Sequence, residues 1–550
     1  MKLSEAQKRA VYHKEGACLV LAGPGSGKTT VITKRLGYLT DGITKPSKLL
    51  SVTFTRAAGQ EMALRYKKQY PGRELPVFGT VHSLCNRIIY DYESIARRTF
   101  VRIEGDRKAK FEVIKSIWLK VNPHLSMPEY DGILSLISRK SNRPEYFRNG
   151  NTIRNFDIIY DLYREYKRKN NFIDFDDMII FAKELLETDK RIQARWSKRY
   201  EYIQVDEGQD LSKAQFEVMR HLAGQGNIFV VADDDQGIYA FRGADPRCVL
   251  EFEKYYSNCV KYYLEENYRS TKRIVECASR VVSINKNRYE KNLFTNNSRG
   301  KKIEFLHCSD LSHQARFVCE KIQKFSQKGS VAVIYRNSLS ALLFKLYLTY
   351  LSLDYSILGG DGDIGSDPIV KRVLSKIEER EENSNFIIPR PKKVFESLLQ
   401  EGLVNNLSDY YERTGKSKIY SEYVLEFLET ACRLYNSYKD LKEGIDSLGG
   451  VEGMCNITLS TVHSAKGLEF DTVFIVDLVN DEFPSREYLS GDMIEEERRL
   501  FYVAMTRAKS KLYLVYPEKR GRNIEEASVF YEEALRAINA RNCTMDYSNK

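Results

Sequence analysis

The chain has 550 residues, 42% of them hydrophobic and 29% charged, with a formal net charge of +11 at pH 7. Its ten cysteines occur singly, with no CxxC pair and no histidines clustered beside them, which argues against structural zinc and a disulfide framework. No apolar run nears the ~20 residues that span a bilayer, so a cytoplasmic protein of several domains, with no membrane partner, is expected. The basic excess fits a polyanionic partner without identifying one, since lysine-rich surfaces often serve only solubility.

In chain order, Leu3-Ser4-Glu5-Ala6-Gln7 comes first. Ser4 and Gln7 fit a helix capping box, and the Gln7 amide could equally read an adenine edge. The apolar run Ala17–Ala22 predicts a strand; Gly23-Pro24-Gly25-Ser26-Gly27-Lys28-Thr29-Thr30 follows, then helical spacing through Val31, Ile32, Arg35, Leu36 and Leu39. Strand, glycine-rich loop and helix form the setting of a phosphate-binding loop. Glycines let backbone N–H groups converge on phosphate oxygens, and the helix adds its positive dipole end. Lys28 neutralises the β- and γ-phosphates in such a loop, and the Thr29 hydroxyl completes a Mg²⁺ shell. The sequence therefore predicts that the chain binds a nucleoside triphosphate.

Leu49–Thr55 reads as a buried parallel strand, which puts Phe54 and Arg56 at the ligand-facing edge of the sheet. Val77–His82 repeats that pattern and ends at Thr80 and His82. From about Tyr90 to Asp189 the chain is helical, basic and aromatic, an inserted subdomain in which Tyr160, Tyr163 and Tyr166 form a packed helix face. Tyr202–Val205 then delivers Asp206 and Glu207, two adjacent carboxylates that require a nearby cation. Beside a phosphate loop, Asp206 can hold Mg²⁺ through water and Glu207 can act as general base. Strand Ile228–Asp233 leads to Gln236, placed to sense the γ-phosphate, and then to Tyr239, Phe241 and Arg242, the composition that stacks unpaired bases.

Strand Val260–Leu264 closes this part, and a second parallel sheet is expected from Ser330–Tyr335, Ile457–Thr461, Thr472–Leu478 and Lys511–Val515. A helix is predicted over Glu495–Ala508, and about thirty-five polar residues close the chain. Residues 379–450, without strand pattern, form a small helical insertion.

In order and spacing, LSEAQ, AGPGSGKTT, TFTRAA, GTVHS, VDEGQD, ADDDQGIYAFRGAD, LEENYRST, TVHSAKGLEFDTVFIVDL and EEERRLFYVAMTRA resemble a superfamily 1 DNA helicase of the UvrD/Rep/PcrA type. The resemblance runs from Leu3 to about Val515. It implies an α/β fold with two RecA-like parallel-sheet motor domains of the P-loop NTPase class, each carrying an inserted, mainly helical subdomain. Residues 1–89 with 190–275 would form the first motor domain and 90–189 its insertion. Residues 276–378 with 451–550 would form the second, and 379–450 its insertion.

By the same resemblance, Gln7 reads adenine, Tyr268 stacks on it, and Glu469 faces the ribose. Ala22 to Thr30, with Asp206, Glu207 and Gln236, would bind and hydrolyse Mg²⁺-ATP, and Arg269 and Arg507 would be arginine fingers. Phe54, Thr80, His82, Tyr239, Phe241, Arg242 and His463 map along a single strand. The implied activity is an ATP-dependent helicase or translocase moving 3′ to 5′ on single-stranded DNA and unwinding duplex at single-strand/duplex junctions. DNA repair and replication are the implied settings, with a nuclease or another repair or replication protein as a possible partner.

The sequence also departs from that family. Gly208 stands where a bulky, usually aromatic residue is usual, Ala232 and Gly237 where Gly and Ser are, Phe241 where some relatives have Trp, and Arg56-Ala57 for Asn-Lys. The insertion at 379–450 is much reduced, in a region that regulates unwinding and binds duplex in Rep-type relatives. A translocase or single-stranded-DNA-stimulated ATPase subunit that needs a partner is therefore the second expectation. A non-catalytic DNA-binding assembly subunit is the third, and the full set of hydrolytic residues counts against it.

Overall fold

The computed structural model describes residues 3–544 apart from 106, 126, 129, 143–152, 225, 360–362, 384–389, 415, 454, 486–490 and 522. Two compact units emerge: Met1–Tyr268 with Asn287–Asn292, and Arg269–Lys286 with Leu293–Lys550. The sequence set this border at 275/276. The units divide earlier because Ser270 Oγ donates to Ala508 O (2.6 Å) and Thr271 N to Lys509 O (3.0 Å), tying these residues to the second sheet.

The first unit is built on a six-stranded parallel sheet ordered Val77–Thr80, Leu49–Thr53, Tyr202–Val205, Ile228–Ala232, Cys18–Ala22, Val260–Leu264. Strand alternation divides its side chains between two cores. Cys18, Val20 and Ala22 pack with Val31, Ile32 and Leu36 on one face, and Leu19 and Leu21 pack with Leu84, Ile88 and Leu186 on the other. Helices Val81–Ala96 and Phe175–Thr188 belong to that second core, so the edges of the helical insertion are continuous with the sheet. Farther out, a separate core gathers Ile114, Trp118, Ile137, Ile159, Tyr160 and Tyr163. Tyr160 and Tyr163 are thus the packed helix face that their spacing predicts, and Tyr166 stacks on Phe172.

The second unit holds another six-stranded parallel sheet, ordered Ser356–Leu358, Ile457–Thr461, Val331–Tyr335, Phe470–Ile475, Ala508–Pro517, Glu304–Cys308. The two outermost strands escape the sequence reading. Ser356–Leu358 is only three residues long, and Glu304–Cys308 is half exposed and lacks an apolar run. The segment after Val515, expected as a polar tail, forms a short hairpin and a helix, Val529–Thr544, whose Phe530 and Ala534 are buried.

Among the described residues, the helices of the 379–450 insertion share their core with the second sheet. Val394, Phe395, Leu398, Tyr423, Phe427 and Leu441 join one cluster with Val331, Val333, Leu459, Phe474 and Val515 of the sheet. Tyr423 also donates from its hydroxyl to Asp477 Oδ2 (2.8 Å) in the buried interior.

Candidate nucleotide site and nucleic-acid face

Strand Cys18–Ala22 is fully buried, and the chain leaves its C-terminal end through Gly23–Gly27 into helix Lys28–Leu39. Gly25 and Gly27 have φ of 65° and 83°, a region where side chains are disfavoured. A Cβ on Gly27 would also lie 2.8 Å from Gln7 Nε2. The helix opens at Lys28 with no side chain capping it, which leaves its first N–H groups to an anion. The loop is braced by its neighbours: Gly23 N donates to Leu264 O (3.0 Å), Asn267 Nδ2 to Pro24 O (2.7 Å) and Tyr268 N to Gly25 O (2.9 Å). Tyr268, 37% exposed, therefore stands beside the loop with its ring accessible.

Gln7 fills the capping box with Ser4 and reaches onward, its Nε2 donating to Ser26 O at 3.0 Å. Its first role in this fold is to brace the phosphate loop.

Asp206 and Glu207 leave strand Tyr202–Val205 at the same sheet edge. Glu207 has φ 53°, a strained backbone for a non-glycine residue that recurs at active sites. Its Oε1 lies 3.7 Å from Lys28 Nζ, and its other oxygen accepts from Gln209 Nε2. Loss of hydration, and then the Glu207 charge, push Asp206 up to about 7, although Lys28 pulls it down. The hydroxyl of Thr29 and the Asp206 carboxylate are hard oxygen donors, and a dication beside Asp206 would supply the positive charge that Lys28 only partly provides.

Gln209, to which the sequence reading gave no role, joins this edge to the next loop. Its Oε1 accepts from Asp233 N at 2.9 Å, and the Asp233 carboxylate in turn accepts from Gln236 Nε2 at 2.6 Å. Asp233, Asp234 and Asp235 lie close enough together to suggest a cation site. The ammonium of Lys291 already sits among them, 2.9, 2.6 and 2.8 Å from their oxygens, so the charge that binds this loop comes from the chain itself.

The second unit gathers three more of the expected residues. Arg269 Nε pairs with Glu469 Oε2 (2.7 Å), and its Nη1 donates to Thr506 O (3.1 Å). Arg507, 1% exposed, donates to Val503 O, Leu468 O and Thr506 Oγ1 at 3.0–3.1 Å. Partial burial disfavours the Glu469 carboxylate, but Lys509 and Arg269 outweigh it and hold the group below its ordinary value.

Four residues expected along a nucleic-acid strand meet in one cluster of the first unit. Phe54 stacks on Tyr239 (5.1 Å, 16°), Phe241 lies 6.0 Å from Tyr239, and the Arg242 guanidinium is 5.4 Å from both of the latter rings. Strand Val77–Thr80 stops earlier than expected, because Thr80 caps helix Val81–Ala96 through Ser83. His82 accordingly sits in a first helical turn, edge-on to the exposed ring of Phe175 (5.2 Å), and burial lowers its basicity. His463 occupies the short helix Val462–Ala465 in the second unit.

Comparison with known families decides the affiliation. Residues 3–257 match the UvrD/REP helicase N-terminal domain, and residues 262–362 and 371–519 match the UvrD-like helicase C-terminal domain. The chain belongs to the UvrD/REP helicase family. It is 30% identical to the ATP-dependent DNA helicase PcrA of Bacillus subtilis, over 94% of this chain and 83% of that protein. A probable DNA helicase II homolog of Mycoplasma capricolum is 29% identical, over 94% and 84%. PcrA of Staphylococcus aureus is also 29% identical, over 94% and 83%. The alignment with the Bacillus protein spans 617 positions, more than the 550 residues available here, so that relative carries segments this chain lacks.

Among the departures from the family pattern, Gly208 has a local explanation. A Cβ at that position would overlap Val230 Cγ1 and meet Ala232 Cβ at 3.6 Å. The Val230 side chain therefore occupies the volume that a side chain at 208 would need. Gly208→Ala should destabilise the first unit by about 1–3 kcal/mol through overpacking. Thermal denaturation checks this, with Val230→Ala expected to recover part of the loss in the double variant.

Proposed function

We propose that this UvrD/REP-family chain is a Mg²⁺- and ATP-dependent motor that moves 3′ to 5′ along single-stranded DNA and separates duplex at a junction. The observation that carries the reading is the connected set in the first unit. Lys28 faces Glu207, Glu207 is bonded to Gln209, and Gln209 and Gln236 both bond Asp233. A charge neutraliser, a base and a phosphate sensor joined in this way suit ATP hydrolysis. The Phe54, Tyr239, Phe241 and Arg242 cluster supports a sequence-tolerant grip on unpaired bases. ATPase activity with and without single-stranded DNA, followed by strand displacement on 3′- and 5′-tailed duplexes, tests the proposal. Displacement of the 5′-tailed substrate alone would overturn the polarity.

Thr29 and Asp206 are the residues we propose to hold Mg²⁺, which would offset charge on the phosphates. Asp206 stands at about 7 against an ordinary 3.8, so without the cation it is mostly protonated at pH 6. A raised carboxylate pKa stabilises the fold below the unfolded value, and that stability is lost as pH rises through about 7. Binding Mg²⁺ should expel this proton. Titration calorimetry with Mg²⁺-ATP in buffers of differing ionisation enthalpy should find more proton release at pH 6 than at pH 8, and Asp206→Asn should abolish the excess.

A second reading is a translocase that unwinds only with a partner, such as a nuclease or another repair or replication protein. The reduced size of the insertion at 379–450 motivates it; the segment packs into one core with the second sheet. Strong DNA-stimulated ATPase without strand displacement by the isolated chain would select it. Among the described residues no helix is long and apolar enough to cross a membrane, and we place the activity in the cytoplasm.

A further inference from the structure

Residues Asn287–Asn292 return to the first unit although the residues on either side of them belong to the second. This strap is fastened to the loop that bears Gln236. Arg288 grips Asp235 with two bonds (2.8 and 2.7 Å), and Tyr289 N donates to Asp234 Oδ2 (2.7 Å). Lys291, with a fully buried side chain, reaches all three consecutive aspartates. Asp233 divides its carboxylate: Oδ1 accepts from Lys291 at 2.9 Å, and Oδ2 accepts from Gln236 Nε2 at 2.6 Å.

We propose that Lys291 is a positioning residue for the phosphate sensor, acting through Asp233 to set the Gln236 amide. The inference rests on the reading of Gln236 as part of an ATP-hydrolysing site. The physical reason is charge. Three adjacent buried carboxylates repel one another, and a single ammonium bonded to each fixes their directions. With Oδ1 anchored, Asp233 presents Oδ2 to one fixed point, and the Gln236 amide has little freedom to turn. The backbone N–H of Asp233 is held by Gln209, itself bonded to Glu207, so the strap also steadies the link from sensor to base.

Two variants test this. Lys291→Met with Asp234→Asn removes one charge of each sign, and Asp233→Asn keeps the side-chain shape while turning one oxygen into an N–H. Each should bind a fluorescent ATP analogue within about two-fold of the unmodified protein, yet lose about ten-fold or more in kcat. In a Gln236→Ala background, neither should cost more than about a further two-fold, because the residue through which they act is gone. Losses that multiply with Gln236→Ala, or full kcat in either folded variant, would overturn the inference. If Lys291→Met/Asp234→Asn does not fold, Asp233→Asn decides alone. An unmodified protein that hydrolyses no ATP would remove the site reading and this inference together; hydrolysis with multiplying losses removes this inference only.

Discussion

Glu207→Gln should bind ATP as tightly as the unmodified protein and hydrolyse it about 10²–10⁴-fold more slowly, the range a positioned general base contributes. Glutamine keeps the shape and still accepts from Gln209, but it cannot take a proton from water. As the proposed base, Glu207 sits at the sheet edge on a backbone held at φ 53°, with Lys28 3.7 Å away. Nucleotide binding would draw mainly on the loop N–H groups, Lys28 and the Asp206–Thr29 pair, all of which the substitution leaves in place while removing the carboxylate charge that faces Lys28 and Asp206. Lys28→Ala is the natural contrast, since it should weaken binding as well as turnover. Single-turnover hydrolysis alongside equilibrium nucleotide binding separates the two effects. A Glu207→Gln protein turning over within about ten-fold of normal would assign the base elsewhere.

How far such groups can be read from sequence depends on whether the signal is local. Cys18–Ala22, Tyr202–Val205 and Ile228–Ala232 are central strands buried on both faces, so each appears as an apolar run leading into residues of the candidate site. The edge strands of the second sheet lack that signature, because Glu304–Cys308 is half exposed and Ser356–Leu358 is only three residues long. The border at Tyr268 was hidden because what decides it is a pair of bonds from Ser270 and Thr271 to residues more than two hundred positions away. Lys291 was invisible for the same reason. In sequence it is one lysine among many, and its meaning comes only from three aspartates some fifty-five residues earlier. Gln7 and Thr80 illustrate a different limit. Their side chains serve as helix caps, a role the local pattern does predict, at positions where family resemblance implies a ligand. One side chain can serve both ends, and sequence cannot apportion them.

Arg507 is where a structural and a chemical role are hardest to separate. Its guanidinium donates to Val503 O, Leu468 O and Thr506 Oγ1, so the fork is locked in place at the end of helix Asp492–Met505. Arg269, bonded to Thr506 O and Glu469, is held against the same turn. As an arginine finger, Arg507 would neutralise charge developing on the transferred phosphoryl group, a contribution of about 10³–10⁵ in rate. Lysine keeps the charge but not the planar fork. Arg507→Lys should therefore lower kcat by about 10³ and leave single-stranded-DNA affinity unchanged. It should also lower thermal stability, since each buried carbonyl left without its donor costs about 1–3 kcal/mol. The two consequences separate when turnover is measured well below the unfolding transition, with DNA affinity confirming that the folded protein is being assayed. If Arg507→Lys loses stability but keeps kcat within about ten-fold, the guanidinium only ties the helix end to its neighbours, and Arg269 becomes the group to which the missing charge must be assigned.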